Sequence, residues 1–575
     1  MAEQRMDGIG ASAGIRFGKA LLYQIGSQQE ETVRETIAAD QVAAEIDRLQ
    51  SAKAKSLAGL DELVEKTKQT LGESKAIILA GQQSFLADPI FYPEMEKLVT
   101  DQKLSAEKAV GQVVNHFASV FERMPQDYMK ERAADVKDVG KRLLSHLSGK
   151  QGVQLSEIEE EVILVADDLT PSDTVQLDKD KVLAIITRIG GKTSHTAILA
   201  KSLGIPAVLG VGDAVEAIRN GTPLIVDGEA GLCILQPDEA THEEYLLKWE
   251  EEEEQQRFLL EFAHQPARTV DGFTIEVAAN IGTAAEAKLA AESGAEGVGL
   301  FRTEFLFMNA NEMPSEEAQF AAYREVAEHL NGKPVIIRTL DIGGDKELSY
   351  LSLPKEMNPF LGYRAIRLCL DQQEILVTQL RAIVRASHYG KLKIMFPMVA
   401  SLEEWREAKA LLEQVQAELR AQGVPFDEEM EVGIMVEVPS TAMLADLFAK
   451  EVDFFSIGTN DLVQYTLAVD RMNEKVAYLY DYFHPAVVRM VKQVIEAAHR
   501  EGKWAGMCGG MAGDPLAAPL LLGLGLDEWS MDAGSMKKVK YAVSKLSKAD
   551  CEQLVPAVLQ AGTAADVRKV LTCSL

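Results

Sequence analysis

The stretch Gly190-Gly191-Lys192-Thr193-Ser194-His195-Thr196-Ala197-Ile198-Leu199-Ala200 sets a histidine between a glycine turn and an apolar run. Glycines permit the tight turn, and Ser194 or Thr193 has the side chain that caps a helix start. A helix start gathers free backbone N–H groups and the positive end of the helix dipole, which favour an anion. A phosphate carried on the His195 imidazole would be such an anion. An incidental histidine on a capped helix fits the same residues, and the segment alone favours that plainer reading. Gly191-Lys192-Thr193 also imitates the end of a nucleotide P-loop. That motif needs a glycine five residues before its second Gly, where this chain has Ile186, so the P-loop is excluded.

A second set of reactive residues lies further along. Arg302 follows Gly299-Leu300-Phe301, and Arg338 precedes Asp341-Ile342-Gly343-Gly344-Asp345-Lys346. Glu437 ends Ile434-Met435-Val436, and Asn460 and Asp461 stand in Gly458-Thr459-Asn460-Asp461 with Arg471 shortly beyond. Cys508 stands in Gly506-Met507-Cys508-Gly509-Gly510. Arg302 and Arg338 have the fork geometry that grips phosphate or carboxylate oxygens. Glu437 and Asp461 offer two carboxylates to a hard divalent ion, and Mg2+ suits a site of one or two carboxylates completed by substrate oxygens. Such an ion stabilises charge developing on an enolate oxygen. Cys508 offers a titratable proton. Taken singly, each has a plainer reading: a surface ion pair for an arginine, a structural carboxylate, a core cysteine. Five such groups converging on one rim make the joint plain reading much weaker.

The elements that must position them follow from the pattern. From about Arg268 onward, short apolar strands alternate with helical segments, at Glu276–Ile281, Gly297–Phe301, Val335–Thr339, Leu392–Pro397, Val432–Val436, Phe454–Ile457, Trp504–Met507 and Glu528–Met531. About eight βα units in roughly 300 residues predict a (β/α)8 barrel of the TIM type. The second set then falls at the C-terminal strand ends, where such barrels build their sites. Upstream, residues 6–24 read as a short α/β piece whose texture resumes near Glu161 and runs to Ile234. Between them, from about Asp40 to Leu147, the chain is rich in Ala, Glu, Lys, Leu and Gln, with Leu60, Leu63 and Val64 on one amphipathic face. The expected fold class is α/β multidomain: a small α/β domain over 1–35 and 148–236, a helical insertion over 36–147, a linker helix over 237–265 and the barrel over 266–575. The insertion is either a partner-docking platform or a structural insertion. The charged 237–265 stretch, with its acidic run Glu250 to Glu254, reads as a solvated linker of some rigidity.

Composition sets the frame. A chain of 575 residues, 47% hydrophobic and 26% charged, is that of a soluble globular protein of two to four domains. Its 59 Lys+Arg against 88 Asp+Glu give a net charge of −29, which argues against a nucleic-acid partner. No apolar run approaches a membrane span, and Met1-Ala2-Glu3-Gln4-Arg5 lacks the apolar core of a signal peptide. The five cysteines, Cys233, Cys369, Cys508, Cys551 and Cys573, form neither a disulfide framework nor a CxxC pattern, so a cytoplasmic location is expected.

These motifs resemble, over essentially the whole length, the phosphoenolpyruvate-protein phosphotransferases, enzyme I of the bacterial sugar phosphotransferase system. The resemblance rests on Gly190–Thr196, Asp341–Lys346, Gly458–Leu462 with Tyr465–Arg471, and Gly506–Gly509. It implies a swivelling phosphohistidine domain with a helical insertion, a linker helix, and a barrel that dimerises. By the same resemblance, His195 would carry the phosphoryl group on Nε2, with Thr170 as the hydroxyl partner of its ring. Arg302, Arg338, Asn460, Asp461 and Arg471 would line the phosphoenolpyruvate site, with Arg364 and Lys346 behind them. Glu437 and Asp461 would bind Mg2+, and Cys508 would protonate the enolate to pyruvate. The inserted helices would dock the histidine-containing phosphocarrier protein, the joint at 237–265 would serve as a hinge, and acid would suppress attack by protonating His195. One departure stands out: family members usually carry Glu after Cys-Gly, where this chain has Gly510. That leaves a phosphorylation-state sensor with little turnover as a second reading. A pyruvate phosphate dikinase or phosphoenolpyruvate synthase is a third, but it needs a nucleotide-grasp domain for which no stretch is free.

Overall fold

The computed structural model describes residues 3–572, apart from 24–34, 72–80, 124–126, 149–154, 156–157, 171–172, 174–176, 192–193, 309, 345, 347, 349, 352 and 474. Of residues 66–71, 122, 127–131, 134, 195, 198, 202, 255, 256 and 260 it describes the backbone alone. Lys192, Thr193, Asp345 and Cys573, all named above, lie outside the described residues, as does the side chain of His195. The chain forms two compact units, Met1–Glu254 and Gln255–Leu575.

The first unit contains an eight-stranded mixed sheet. Its strands are β1 (Gln4–Asp7), β2 (Ile9–Ser12), β3 (Ile15–Tyr23), β4 (Val162–Ala166), β5 (Val182–Thr187), β6 (Ala207–Leu209), β7 (Pro223–Asp227) and β8 (Leu232–Leu235), in the order β1-β8-β7-β3-β4-β5-β6-β2. The runs Val162-Ile163-Leu164-Val165-Ala166 and Val182-Leu183-Ala184-Ile185-Ile186 are almost continuously apolar and mostly buried. That is the composition of strands covered on both faces, and β3, β4, β5 and β6 pair in parallel at the centre. Among the described residues of 6–24 there are strands and no helix, so that piece is β rather than mixed: Gly-rich turns return the chain at once into the sheet. Helices Val42–Leu71, Phe91–Gln102, Ala106–Glu122 and Asp127–Ser148 occupy the stretch between β3 and β4 and bury a core of their own, with Leu60, Phe91, Val110 and Val139 inaccessible to solvent. Leu60 and Val64 are buried on the face that their spacing marked out, with Leu63 at its margin.

Helix Glu239–Ala263 carries the boundary between the units. In the second unit, β9 (Ala267–Arg268) pairs antiparallel with β10 (Thr274–Ile281). The strands β10, β11 (Val298–Arg302), β12 (Val335–Arg338), β13 (Leu392–Phe396), β14 (Val432–Val436), β15 (Phe454–Ile457), β16 (Trp504–Met507) and β17 (Glu528–Met531) follow one another in parallel, and β10–β11 pairing closes the ring. All eight predicted strands are present within a residue or two, and the (β/α)8 barrel is the observed fold. Its helices read plainly in the sequence. Ser401 and Glu404 form a capping box at the start of Leu402–Ala421. Pro485 opens Pro485–Arg500, which buries Val487, Val488, Val491, Val494 and Ile495 along one stripe. Leu300, Ile336, Met395, Met435, Phe454 and Cys508 fill the barrel interior as a separate cluster. Among the described residues, no helix is long and apolar enough to cross a membrane.

Candidate functional site

The barrel fold carries the predicted residues to one place because each lies at a strand's C-terminal end. Arg302 and Arg338 are the last residues of β11 and β12; Glu437 directly follows β14 and Cys508 directly follows β16. Asn460 and Asp461 open the helix Thr459–Leu467 after β15. Arg302, Arg338, Glu437, Asn460, Asp461, Arg471 and Cys508 all line a single cavity of about 230 Å³, together with Glu304, Asp341, Lys346 and Arg364. Leu300, Phe305 and Met435 supply its apolar wall. Gly509 makes the close approach possible: a Cβ there would collide with the Thr459 side chain and would meet its backbone nitrogen at 2.6 Å. The loops after β15 and β16 therefore touch, and Asn460 Oδ1 accepts a hydrogen bond from the Gly510 N–H at 3.0 Å. A Cβ on Gly510 itself would meet only Asn460 Oδ1, at 3.5 Å, so the position has room for a side chain.

Arg338 is the centre of the charge network. Its Nη2 lies 2.5 Å from Glu304 Oε1 and 3.1 Å from Asp341 Oδ2, and its Nη1 lies 3.7 Å from Glu437 Oε1. Lys346 Nζ donates to the same Glu304 Oε1 at 2.8 Å and to Asp341 Oδ2 at 3.3 Å. Arg364 Nη2 donates to Asp341 Oδ1 at 2.8 Å, and Arg364 Nη1 donates to the Tyr465 hydroxyl at 3.2 Å. Burial alone would raise the Glu304 and Asp341 carboxyls, but the surrounding cations outweigh it and hold both below their usual range. Burial would lower Arg338, and its three carboxylates overcome that and hold it charged. The arginines are thus fixed before any ligand arrives, and that is the condition for a phosphate or carboxylate clamp to act without reorganising.

Glu437 behaves differently. Burial and the nearby Asp461 carboxylate push it up to about 8, with Arg338 opposing. Its Oε2 accepts from the Met398 N–H at 2.8 Å. Asp461 Oδ1 is buried without a hydrogen-bond partner among the described residues, although Arg471 Nη1 lies 3.3 Å away as an ion pair. Two mutually repelling buried carboxylates, one with an orphaned oxygen, are a donor set that a divalent cation would relieve, so the residues fit Mg2+. Among the described residues no group of three or more His, Cys, Asp or Glu forms a metal cluster. Two protein carboxylates would therefore leave most of the coordination to substrate and water. Cys508 is only 4% exposed, and burial pushes its thiol up to about 12 although the Ser456 hydroxyl, 3.4 Å from Sγ, counteracts this. The thiol therefore holds its proton at neutral pH.

In the first unit, His195 begins the helix His195–Leu203, which follows β5 through a turn containing Gly190 at φ +129°. Of the two capping candidates, Ser194 accepts from the Ala197 N–H at 3.3 Å, and Thr193 lies outside the described residues. Thr196 Oγ1 donates to Asp168 Oδ1 at 3.2 Å, fastening the helix start to the loop after β4. In that loop Thr170 Oγ1 accepts from the Asp173 N–H at 3.2 Å. The functional residues that sequence reasoning passed over are Glu304 and Asp341. Both stand inside quoted motifs, and the signal available was that a buried arginine at a strand end needs a carboxylate partner.

Three family descriptions match the chain: PEP-utilising enzyme, N-terminal, over residues 7–132; PEP-utilising enzyme, mobile domain, over 158–231; and PEP-utilising enzyme, PEP-binding domain, over 256–548. Proteins named phosphoenolpyruvate-protein phosphotransferase are similar along nearly the whole chain. The one from Priestia megaterium is 50% identical over 98% of this chain and 98% of its own length. That of Geobacillus stearothermophilus is 50% identical over 98% and 97%, and that of Bacillus subtilis (strain 168) is 51% identical over 98% and 98%.

Proposed function

The chain belongs to the phosphoenolpyruvate-protein phosphotransferase family, a family of transferases, and from that premise we propose that it moves the phosphoryl group of phosphoenolpyruvate to its own His195 and then to a histidine-containing phosphocarrier protein, releasing pyruvate. This would be the first step of a sugar phosphotransferase system. The observation that carries the reading is the convergence of Arg302, Arg338, Asn460, Arg471, Glu437, Asp461 and Cys508 on one cavity. Those side chains are complementary to a small dianionic phosphate ester whose product is an enolate.

In this reading Arg302, Arg338 and Arg471 hold the phosphate and carboxylate oxygens, and Asn460 donates its amide N–H from the helix start. Glu437 and Asp461 hold Mg2+, which supplies charge neutralisation on the phosphate and on the enolate oxygen. Glu304, Asp341 and Lys346 keep Arg338 in place, so that the clamp is already formed when substrate arrives. His195, neutral at Nε2, attacks phosphorus, and the departing enolate takes its proton from the Cys508 thiol. Positioning and charge neutralisation dominate such phosphoryl transfer, and protonation of the enolate makes the step favourable. The segment 36–147 is the docking face for the carrier, the barrel is the site of homodimerisation, helix 237–265 is the joint, and the protein works in the cytoplasm.

Incubation with phosphoenolpyruvate, Mg2+ and the phosphocarrier protein tests the proposal. Pyruvate is expected in proportion to phosphorylated carrier. Pyruvate limited to one per chain, with carrier left unphosphorylated, would mean a sensor; labelling by ATP instead of phosphoenolpyruvate would mean a dikinase.

A further inference from the structure

Below Cys508, the barrel interior contains a carboxyl group that the scheme above does not use. Glu528, on β17, is 3% exposed, and neither carboxyl oxygen has a hydrogen-bond partner among the described residues. Burying such a group unpartnered carries a large desolvation cost, and an apolar side chain at the same place would incur none. The surrounding strands are nevertheless built to admit it. A Cβ on Gly506 would collide with Glu528 Oε2, and a Cβ on Gly299 would collide with Oε1. Two strand interiors thus carry glycine where glycine weakens a strand, and the space gained is occupied by this carboxyl.

Register places the group on a continuous row. Ser456 of β15 pairs with Gly506 of β16, Gly506 pairs with Glu528 of β17, and Glu528 pairs with Glu276 of β10. Gly506 lies on β16 and Cys508, two residues on, directly follows it, so that both face the barrel interior. Ser456 Oγ is 3.4 Å from Cys508 Sγ. The row therefore begins at a hydroxyl touching the thiol, passes through the space of a missing side chain that the Glu528 carboxyl fills, and ends at Glu276. Glu276 is only half-buried.

We propose that Glu528 is a positioning residue that acts through Cys508, holding the proton that restores the thiol after each turnover. The proposal rests on the functional reading above. The enolate methylene carbon forms a C–H bond as the Cys508 S–H bond breaks, leaving a thiolate. The Glu528 O–H bond then breaks and the S–H bond re-forms, next to the Ser456 hydroxyl and by carboxyl rotation or through one water. Glu276 and solvent water return a proton to the Glu528 carboxylate. No electrons change hands beyond these acid–base steps. Two electrostatic facts agree with the direction of transfer. Burial, then the neighbouring Glu276, raise Glu528 well above the ordinary carboxyl range, with Lys393 opposing, which favours its protonated form. Burial also pushes the Cys508 thiol up, to about 12, so a thiolate formed there is a strong base that readily takes a proton.

The test uses the full chain and the shape-conserving variant Glu528→Gln, which has no acidic proton to give. Wild type and variant are mixed with phosphoenolpyruvate and Mg2+ without carrier, so each chain turns over once. Label on His195 is measured alongside the ultraviolet absorbance of a cysteine thiolate in stopped flow. Equal labelling is expected, with a long-lived thiolate signal approaching one per labelled chain in Glu528→Gln and none in wild type. With carrier present, kcat of the variant is expected to fall at least tenfold at unchanged KM for phosphoenolpyruvate. Ser456→Ala is expected to give the same thiolate signal. Normal labelling without thiolate accumulation in Glu528→Gln overturns the proposal, as does a variant that fails to become labelled while wild type succeeds. Absence of label on wild type instead overturns the functional reading itself.

Discussion

Replacing Glu304 by alanine removes an oxygen on which two cations converge, the buried Arg338 at 2.5 Å and the half-buried Lys346 at 2.8 Å. Breaking a buried ion pair from one side costs about 3–5 kcal/mol. Arg338 keeps Asp341 at 3.1 Å and Glu437 at 3.7 Å, which places Glu304→Ala at the lower end, about 3 kcal/mol. For a unit of this size that is a fall of about 4–5 °C in unfolding temperature by calorimetry. Glu304→Gln keeps the acceptor but not the charge, and since a charge-assisted hydrogen bond is worth about twice a neutral one, it should recover roughly half of the loss. The sign with pH follows from the direction of the shift. Glu304 is held below its usual range, so its contribution is fully present above the unfolded value of about 4.3 and is lost as pH falls through the folded one. The difference between wild type and Glu304→Ala should therefore be constant across neutral pH and shrink in acid. Freed from one anchor, Arg338 no longer meets substrate in place, and kcat/KM for phosphoenolpyruvate should drop about 100-fold, with Glu304→Gln between. A Glu304→Ala protein within 1 °C of wild type and within twofold in kcat/KM would refute the view that this carboxylate pins the clamp.

Other outcomes follow from the same structure. Glu528 has a raised folded value, so its favourable contribution exists below the unfolded value of about 4.3 and is lost as pH rises; Glu528→Gln should gain stability relative to wild type from pH 5 to pH 8 and show no gain at pH 4, by thermal unfolding. Lys540, buried, donates to the carbonyls of Ala263 at 2.9 Å and Gly294 at 2.8 Å. Lys540→Met leaves both without that donor and should cost the second unit about 2 kcal/mol in denaturant unfolding. Cys508→Ala should slow pyruvate formation while leaving Mg2+-dependent binding of phosphoenolpyruvate, measured by calorimetry, unchanged.

The barrel was legible because its strands are short apolar runs at regular spacing, and the rim followed because Arg302, Arg338, Glu437 and Cys508 sit at or directly after strand ends. What joined those residues was not legible. That Glu304 and Asp341 neutralise Arg338 depends on the ends of β11 and β12 closing to within hydrogen-bond distance, and nothing in a one-dimensional pattern reports that approach. The row from Ser456 to Glu276 is the same kind of fact, since it exists only once β15, β16, β17 and β10 are in register. The short piece over 6–24 was read as α/β, and its strands β1, β2 and β3 pair antiparallel with β8, β6 and β7. His195 illustrates the limit from the other side: its helix start and its cap were readable from Gly190-Gly191 and Ser194, while its role depended on residues more than a hundred positions away.

The most direct measurement is the transfer of label from phosphoenolpyruvate, phosphorus-labelled, to wild type and to His195→Ala in the presence of Mg2+. The account predicts one acid-labile phosphoryl group per wild-type chain, located at residue 195, and none on His195→Ala. Label on His195→Ala at the wild-type level would contradict it.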